Sequence, residues 1–214
     1  MRSKIYLTIV LWLLAAMMPL SAQRSLTEQD YREVAAELDI DVAAIKALAA
    51  IEGGGHGFDA QGRATINFDL SVFKRFLRKA GISEAAARKT APVAFAAVNS
   101  KRHGGYVAAQ HARLDAACKV DRELALKATF WGMFQIGGFN YKLCGCKSVE
   151  EYVKRNKESE REQLELFAHF IERAGLVGYV KAPNWRAFAR AYNGGRQVAG
   201  YAAKLQRAYN KFNK

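Results

Sequence analysis

The stretch Ala43–Phe58, which reads AAIKALAAIEGGGHGF, joins an apolar helical pattern to a run of three glycines. One helix face repeats with the i, i+3, i+4, i+7 spacing, and its apolar members are Val42, Ile45, Leu48 and Ala49. Glu52 continues this face as the last residue before the glycines. The segment therefore predicts a buried helix that ends on an acid whose carboxyl group points towards the protein interior.

The position of Glu52 favours an acid that keeps its proton near neutral pH. Burial disfavours a charged carboxylate, and the negative end of the helix dipole disfavours it further. A carboxyl group with a raised pKa is what general-acid catalysis needs, and Gly53–Gly55 leave room for a ligand to approach. The alternative interpretation is an ordinary helix end, because glycine is common after the last helical residue and Glu52 is then solvated.

The N-terminal segment has the three-part layout of a secretory signal peptide. Arg2 and Lys4 form a basic start, Ile5–Met18 is almost wholly apolar, and small residues lead to Ala22. The apolar run is shorter than the roughly 20 residues of a spanning helix, so no stable membrane span is expected after cleavage. The sequence predicts a signal peptide over residues 1–22, a single domain over 23–214 and a periplasmic or secreted product.

The chain is strongly basic, with a formal net charge of +13 at pH 7. An exported cationic protein meets anionic envelope polymers, so these are expected partners. The basic residues are spread along the chain, as in Lys74-Arg75 and Lys154-Arg155. Charge spread in this way is typical of a solvated surface, and we expect no specific nucleic-acid binding.

The three cysteines do not have the spacing of a metal site. Cys144 and Cys146 are separated by one glycine, and a structural zinc site usually needs four ligands. A disulfide from Cys118 to one of this pair and plain buried thiols both remain open. No metal or other cofactor is expected.

Helical patterns dominate the remainder of the chain. Phe58–Phe68 is the exception, because its glycine and β-branched residues predict an extended, hairpin-like excursion. The fold class expected is a mainly α, single helical domain with a small β-hairpin. The caps and periodicity predict helices over 27–38, 41–52, 69–80, 83–98, 106–118, from 121 towards 131, 148–174, 184–192 and 198–212.

Two other segments place amides and aromatic rings beside glycines. Phe130–Asn140 reads FWGMFQIGGFN, and Ala187–Gly195 reads AFARAYNGG. Aromatic rings stack on the apolar faces of sugars, and amides exchange hydrogen bonds with hydroxyl and acetamido groups, so both segments suit a carbohydrate cleft. In the alternative interpretation Phe134 belongs to the core and Asn193 only ends a helix.

Taken in order, these motifs resemble those of the N-acetylmuramidase domain of phage endolysins. The matching elements are Glu52 followed by glycines and GxGF, WGxFQIxGFN at Trp131–Asn140, and ARAYNGG at Ala189–Gly195. The resemblance runs from about Leu26 to the C-terminus. It implies a lysozyme-like, α+β fold and cleavage of the β-1,4 bond between N-acetylmuramic acid and N-acetylglucosamine in peptidoglycan glycan strands.

The resemblance also implies roles for individual residues. Glu52 is the expected proton donor. Sugar subsites are expected around Phe134, Gln135, Tyr192 and Asn193. Within the domain, therefore, the three motif segments are expected to converge on one cleft.

The second catalytic group is less well matched. The family has FExH after the β excursion, where this chain has Phe68-Asp69-Leu70-Ser71. A second carboxylate in glycoside hydrolysis acts as a nucleophile or activates water, and Asp69 is the candidate, ahead of Asp59 in the turn-like DAQGR. The alternative is that Asp69 caps the following helix.

Several functions compatible with these residues stay open. If no second carboxylate is near, the muramic acid 6-hydroxyl attacks instead, and the protein is a lytic transglycosylase that gives 1,6-anhydro products. A non-catalytic peptidoglycan-binding protein retains the cleft without turnover. In a membrane-active or nucleic-acid-binding cationic protein, the activity does not depend on Glu52.

Overall fold

The computed structural model describes residues 25–52, 56–96, 103–193 and 197–214, and for 103–107 and Asn193 it describes the backbone alone. The predicted signal peptide and Gly53–Gly55 lie outside the described residues.

Most of the described chain is helical, as predicted. Its twelve α-helices are α1 (Glu28–Glu37), α2 (Val42–Glu52), α3 (Leu70–Lys79), α4 (Glu84–Thr90), α5 (Pro92–Phe95), α6 (His103–Cys118), α7 (Arg122–Lys127), α8 (Val149–Asn156), α9 (Glu160–Arg173), α10 (Val177–Lys181), α11 (Trp185–Asn193) and α12 (Val198–Phe212). Among these described helices, none has the length and apolar character needed to cross a membrane.

A small antiparallel sheet supplies the β part of the fold. Its strands, in spatial order, are β1 (Ile66–Phe68), β2 (Thr129–Trp131) and β3 (Ile136–Gly137). Ile66 lies opposite Trp131 in the register, and a bridge between Phe58 and Ala64 precedes β1. The predicted excursion over 58–68 is therefore confirmed as extended, and its strand pairs with a distant segment.

Strand β2 replaces the last part of a predicted helix. We expected a helix from Asp121 towards Trp131, and it ends at Lys127. Thr129, Phe130 and Trp131 are β-branched or aromatic residues, which fit a half-buried strand. The pairing partner lies in β1, about sixty residues earlier, so local periodicity does not detect it.

Two predicted long helices are each divided by a residue that favours a break. The helix over 83–98 divides at Ala91, because the residue before Pro92 is disfavoured in the helical conformation. The helix over 148–174 divides after Lys157, where the Ser159 hydroxyl accepts a hydrogen bond from the Glu162 amide and caps a new helix. Both divisions turn the chain without exposing the core.

The core places the C-terminal helices against the helix that carries Glu52. Helix α12 packs on α2 and also on α11. Ile45 and Leu48 of α2 and Leu205 of α12 are fully buried. This packing fixes the end of α2 relative to both C-terminal helices.

The three cysteines are free thiols. Cys144 and Cys146 are buried, and burial raises the pKa of both thiols above the ordinary value. Of the two alternatives open from the sequence, the structure has buried thiols rather than a disulfide at this pair.

Gly132, in the turn between β2 and β3, is fixed by its backbone and by its neighbours. Its φ is +68°, and a Cβ there would lie 2.5 Å from Asn156 Oδ1 and 2.8 Å from Gln163 Cδ. Gly81 has a similar φ of +71°, but nothing lies within 4 Å of the place where its Cβ would be. Alanine at Gly81 would therefore cause backbone strain alone, whereas alanine at Gly132 would cause backbone strain and steric overlap.

We expect Gly132→Ala to lower the free energy of unfolding more than Gly81→Ala does. The left-handed backbone should cost each variant roughly 1–2 kcal/mol, and overlap with Asn156 should cost Gly132→Ala about 1–3 kcal/mol more. Urea unfolding of both variants measures the difference. Equal losses in the two variants would contradict the close packing at Gly132.

Candidate active site

Glu52 lies at the C-terminal end of α2 and faces two tyrosines from the C-terminal helices. The Tyr201 hydroxyl, on α12, donates a hydrogen bond to Glu52 Oε1. Tyr192, on α11, also hydrogen-bonds the Glu52 side chain. The carboxyl group is partly buried, as the helix periodicity predicted.

Opposing effects set the pKa of Glu52. Burial raises the pKa, and the hydrogen bonds from Tyr201 and Tyr192 lower it because they favour the charged carboxylate. Burial is the larger effect, so the pKa lies above that of an ordinary glutamate. Burial and the nearby Glu52 charge raise the pKa values of both tyrosines, so both remain hydrogen-bond donors.

A series of packed aromatic rings connects Glu52 to the segment after β2. The Tyr201 and Tyr192 rings are stacked, with centroids 6.4 Å apart and planes 3° apart. Tyr192 contacts Phe167 edge-on at 6.5 Å, and Phe167 stacks on Phe134 at 4.3 Å. The predicted residues Glu52, Tyr192 and Phe134 thus belong to one packed cluster.

Within this cluster Phe134 and Gln135 have different environments. The Phe134 side chain is 3% exposed, so its ring supports the site from the core. Gln135 is partly exposed, has a φ of +48°, and its Nε2 donates to the Gly132 carbonyl at 2.8 Å. Of the two, only the Gln135 side chain is accessible to a ligand.

Gln163, which the sequence did not single out, ties together the chain segments around the site. Its Oε1 accepts a hydrogen bond from the Met133 amide at 2.8 Å. Its Nε2 donates to the Gly57 carbonyl at 3.2 Å and to the Asn156 carbonyl at 2.8 Å. One buried amide therefore links the end of α8, the loop after Glu52 and the turn after β2.

Glu160 holds the same loop one helical turn earlier. Its Oε1 accepts from the Gly57 amide at 2.8 Å, and its Oε2 accepts from the Leu26 amide at 3.3 Å. A Cβ on Gly57 would lie 2.2 Å from Gln163 Oε1, so the loop approaches α9 closely only because this residue is glycine. Helix α9 thus positions the chain that follows the glycine run.

Asp69 is the N-cap of α3. Its Oδ1 accepts hydrogen bonds from the Ser71 amide at 2.7 Å and the Val72 amide at 2.9 Å. These contacts are those of the alternative interpretation from the sequence. A role as second carboxylate is compatible with them and stays a prediction. Asp59, the lower-ranked acid, binds Arg63 across a turn.

Asn193 is the last residue of α11, and its side chain lies outside the described part of the structure. Its predicted contact with a sugar stays a prediction. In the described residues, no group of three or more His, Cys, Asp or Glu side chains is arranged to hold a metal ion.

Sequence reasoning missed Tyr201, although a local signal was present. Val198, Tyr201, Ala202 and Leu205 follow the helical i, i+3, i+4, i+7 spacing, which places Tyr201 on the packed face of α12. Gln163 has a similar signal, since it is a polar residue one turn before Phe167 on an apolar face. Neither pattern alone identifies Glu52 or Gly57 as the partner.

Comparison with known proteins shows the family. The family model described as N-acetylmuramidase matches residues 41–213. The crystal structure of the Burkholderia AP3 phage endolysin matches with a TM-score of 0.74 and 37% sequence identity, over 89% of this chain and 71% of the endolysin chain. No curated protein matches. The resemblance and the lysozyme-like fold class predicted from the sequence are confirmed, and the chain belongs to the N-acetylmuramidase family.

Proposed function

We propose that this lysozyme-type glycoside hydrolase is exported and cleaves the β-1,4 bond between N-acetylmuramic acid and N-acetylglucosamine, with Glu52 as its general acid. The observation that carries the proposal is the partly buried Glu52 carboxyl group between two tyrosine hydroxyls, with a raised pKa. Peptidoglycan hydrolysis agrees with the family. The substrate is the glycan strand, and the signal-like N-terminus supports export.

In the first step, protonated Glu52 donates its proton to the glycosidic oxygen as the bond breaks and an oxocarbenium-like sugar develops. The carboxylate that remains is stabilised by the hydrogen bonds from Tyr201 and Tyr192. Both bonds favour the charged product of proton transfer. The tyrosines therefore make a partly buried glutamate a strong enough acid to release its proton.

We assign the substrate contacts to residues of the motif segments. Gln135 and Asn193 provide amides for the acetamido and hydroxyl groups of the sugars. Tyr192 contributes an aromatic edge beside the acid. Phe134 acts by packing under these groups, because its ring is buried against Phe167.

For the second step, we propose Asp69 as the carboxylate that either activates a water molecule or attacks the sugar carbon as a nucleophile. Thr65 and Asp69 flank strand β1 (Ile66–Phe68). The Thr65 hydroxyl donates to the His56 carbonyl at 3.0 Å, which links the start of β1 to the loop close after the glycine run. The alternative is attack by the muramic acid 6-hydroxyl, which gives an anhydro product without Asp69.

The general-acid proposal predicts that Glu52→Gln abolishes product release from purified peptidoglycan while substrate binding survives. Glutamine keeps the shape and carries no transferable acid proton, so turnover should fall about 100-fold or more. Mass spectrometry of the soluble fragments measures this. Fragments with reducing-end muramic acid identify a hydrolase, and 1,6-anhydro fragments identify a transglycosylase.

Two results would contradict the proposal. Unchanged fragment release by Glu52→Gln would remove Glu52 from the chemistry. Tight binding by both proteins, with no fragments from either across several wall types, would favour a non-catalytic binding protein.

The hydrogen bond from Tyr201 predicts a specific change in the pH profile. Tyr201→Phe removes a donor that favours the Glu52 carboxylate, so the pKa of Glu52 should rise. A general acid acts while protonated, and the alkaline limb of kcat/KM should therefore move to higher pH, by roughly one unit. The pH dependence of kcat/KM on soluble glycan fragments measures the shift.

Tyr209→Phe is the matched control for this shift. The Tyr209 hydroxyl also belongs to α12 and donates to a carboxylate of the α2 segment, Asp41 Oδ2, at 2.9 Å. Its loss should leave the alkaline limb unchanged. If both variants, or neither, move the limb, Tyr201 does not tune Glu52.

Asp69→Asn separates the catalytic role of Asp69 from its capping role. Asparagine is as good an N-cap as aspartate, so the melting temperature should change little. The proposed role predicts that turnover falls about 100-fold, because the amide neither attacks nor activates water. Native-like turnover and stability would limit Asp69 to capping, and 1,6-anhydro fragments would then assign the second step to the muramic acid 6-hydroxyl.

A further inference from the structure

The net positive charge of this chain lies in two stretches, residues 69–114 and residues 173–214. Residues 173–214 contain nine lysines and arginines and no aspartate or glutamate, a net charge of +9, and residues 69–114 carry a net +7. Residues 115–172, by contrast, contain nine basic and ten acidic residues. The even spread expected from the sequence therefore holds only for part of the chain.

The C-terminal cations lie on the outer faces of the two helices that hold the tyrosines. Lys204, Arg207 and Lys211 of α12 are exposed and spaced i, i+3, i+7, so they form one stripe about 10 Å long. Arg186 and Arg190 are exposed one turn apart on α11. We call these five residues the cationic face.

The cationic face has no acidic partners among the residues that the structure describes. None of its five side chains forms an ion pair there, whereas elsewhere Arg155 and Arg161 each bind two or more carboxylates. The other basic stretch, residues 69–114, is partly neutralised, because Lys74 and Arg88 both pair with Glu84. Cations that lie one or two turns apart on a helix, with no acidic partner, repel one another unless counterions or a ligand neutralise them.

The face is separate from the site around Glu52. Tyr192 packs inwards on Phe188, on the side of α11 away from Arg186 and Arg190. On α12 the Tyr201 hydroxyl turns inwards to Glu52, and Lys204, three residues later, is exposed, so the stripe begins one helical turn from the site. The cationic face is therefore next to the site but shares no residue with it.

The surface between the two helices contains a pocket. Its volume is about 530 Å³, and its lining residues include Asn184, Ala203, Gln206 and one member of the cationic face, Arg186. The exposed large apolar side chains in the described residues are Val93, Phe139 and Tyr179, and none lies on α11 or α12. Tyr179 lines a pocket of about 460 Å³ together with Arg186 and Arg190, so one exposed aromatic side chain lies beside the α11 cations. A single tyrosine falls short of the apolar face with which a helix enters a bilayer.

We propose that the cationic face binds a linear phosphate-bearing polymer of the cell envelope. This binding would hold the enzyme at the wall while the site around Glu52 cleaves the glycan strand. Arginine and lysine recognise phosphate groups by charge-assisted hydrogen bonds, and a row of cations matches a chain of repeated anions. Binding of this kind releases counterions and weakens steeply with salt.

The test is direct binding of inorganic polyphosphate, measured by fluorescence anisotropy at low and at physiological salt. The test variant carries Lys204→Glu, Arg207→Glu and Lys211→Glu. The control variant carries Lys119→Glu, Arg122→Glu and Lys147→Glu, three exposed positions in the balanced stretch. Both variants lower the net charge equally, so they differ only in where the charge is removed.

We expect the test variant to bind at least about tenfold more weakly than the native protein at low salt, with a shallower salt dependence. The control variant should stay within about threefold. Equal weakening in the two variants would overturn the proposal, because binding would then follow net charge alone. Stronger binding to phosphatidylglycerol vesicles or to duplex DNA than to polyphosphate would also overturn it, in favour of a membrane surface or a nucleic acid.

The outcome is independent of the catalytic proposal. Binding is measured without turnover, and Glu52→Gln should bind polyphosphate like the native protein. The charge-reversed test variant should in turn cleave soluble glycan fragments at the native rate and lose activity only on walls that retain their phosphate polymer. Equal losses on polymer-containing and polymer-stripped walls would count against a wall anchor.

Discussion

The hydrogen bonds from Tyr201 and Tyr192 to Glu52 are the interaction on which the rest of the site depends. A partly buried carboxyl group is costly unless polar partners replace the lost water. Both partners come from the last two helices, and Tyr201 is 149 residues from Glu52 in the chain. The acid is therefore complete only when α11 and α12 are packed on α2. Packing of the C-terminal helices on α2 therefore completes the hydrogen bonds of the proposed general acid.

The same contacts explain why burial alone does not account for the pKa of Glu52. Burial raises the pKa of Glu52, whereas the tyrosine hydroxyls favour the carboxylate and so lower that pKa. A general acid needs both properties, since it must be protonated before the reaction and stabilised as an anion afterwards. Because the tyrosines keep raised pKa values of their own, they donate in both states of Glu52.

Local patterns predicted the helices and the position of Glu52, because periodicity and caps are encoded within a few residues. Thr27 and Ser148 begin their helices as expected, and Pro92 shows how one residue divides a pattern that otherwise continues. The partners of the site were not predicted. Tyr201 and Gln163 act across the fold, and β2 is a strand because it pairs with β1. Sequence spacing shows which face of a helix a residue lies on, but only the packed fold shows which residues that face contacts.

Helix α12 also shows how a strongly basic protein accommodates a carboxyl group with a raised pKa. A cation within about 4–6 Å of a carboxyl group lowers its pKa, which would oppose the effect of burial on Glu52. Among the described residues, the groups that shift the pKa of Glu52 are its apolar surroundings and two uncharged tyrosines, with no lysine or arginine. The helix directs Tyr201 inwards and Lys204, Arg207 and Lys211 outwards, where solvent and salt screen them. The proposed binding of an anionic polymer and the proposed general-acid chemistry thus use different residues of one helix, Lys204, Arg207 and Lys211 for the first and Tyr201 for the second.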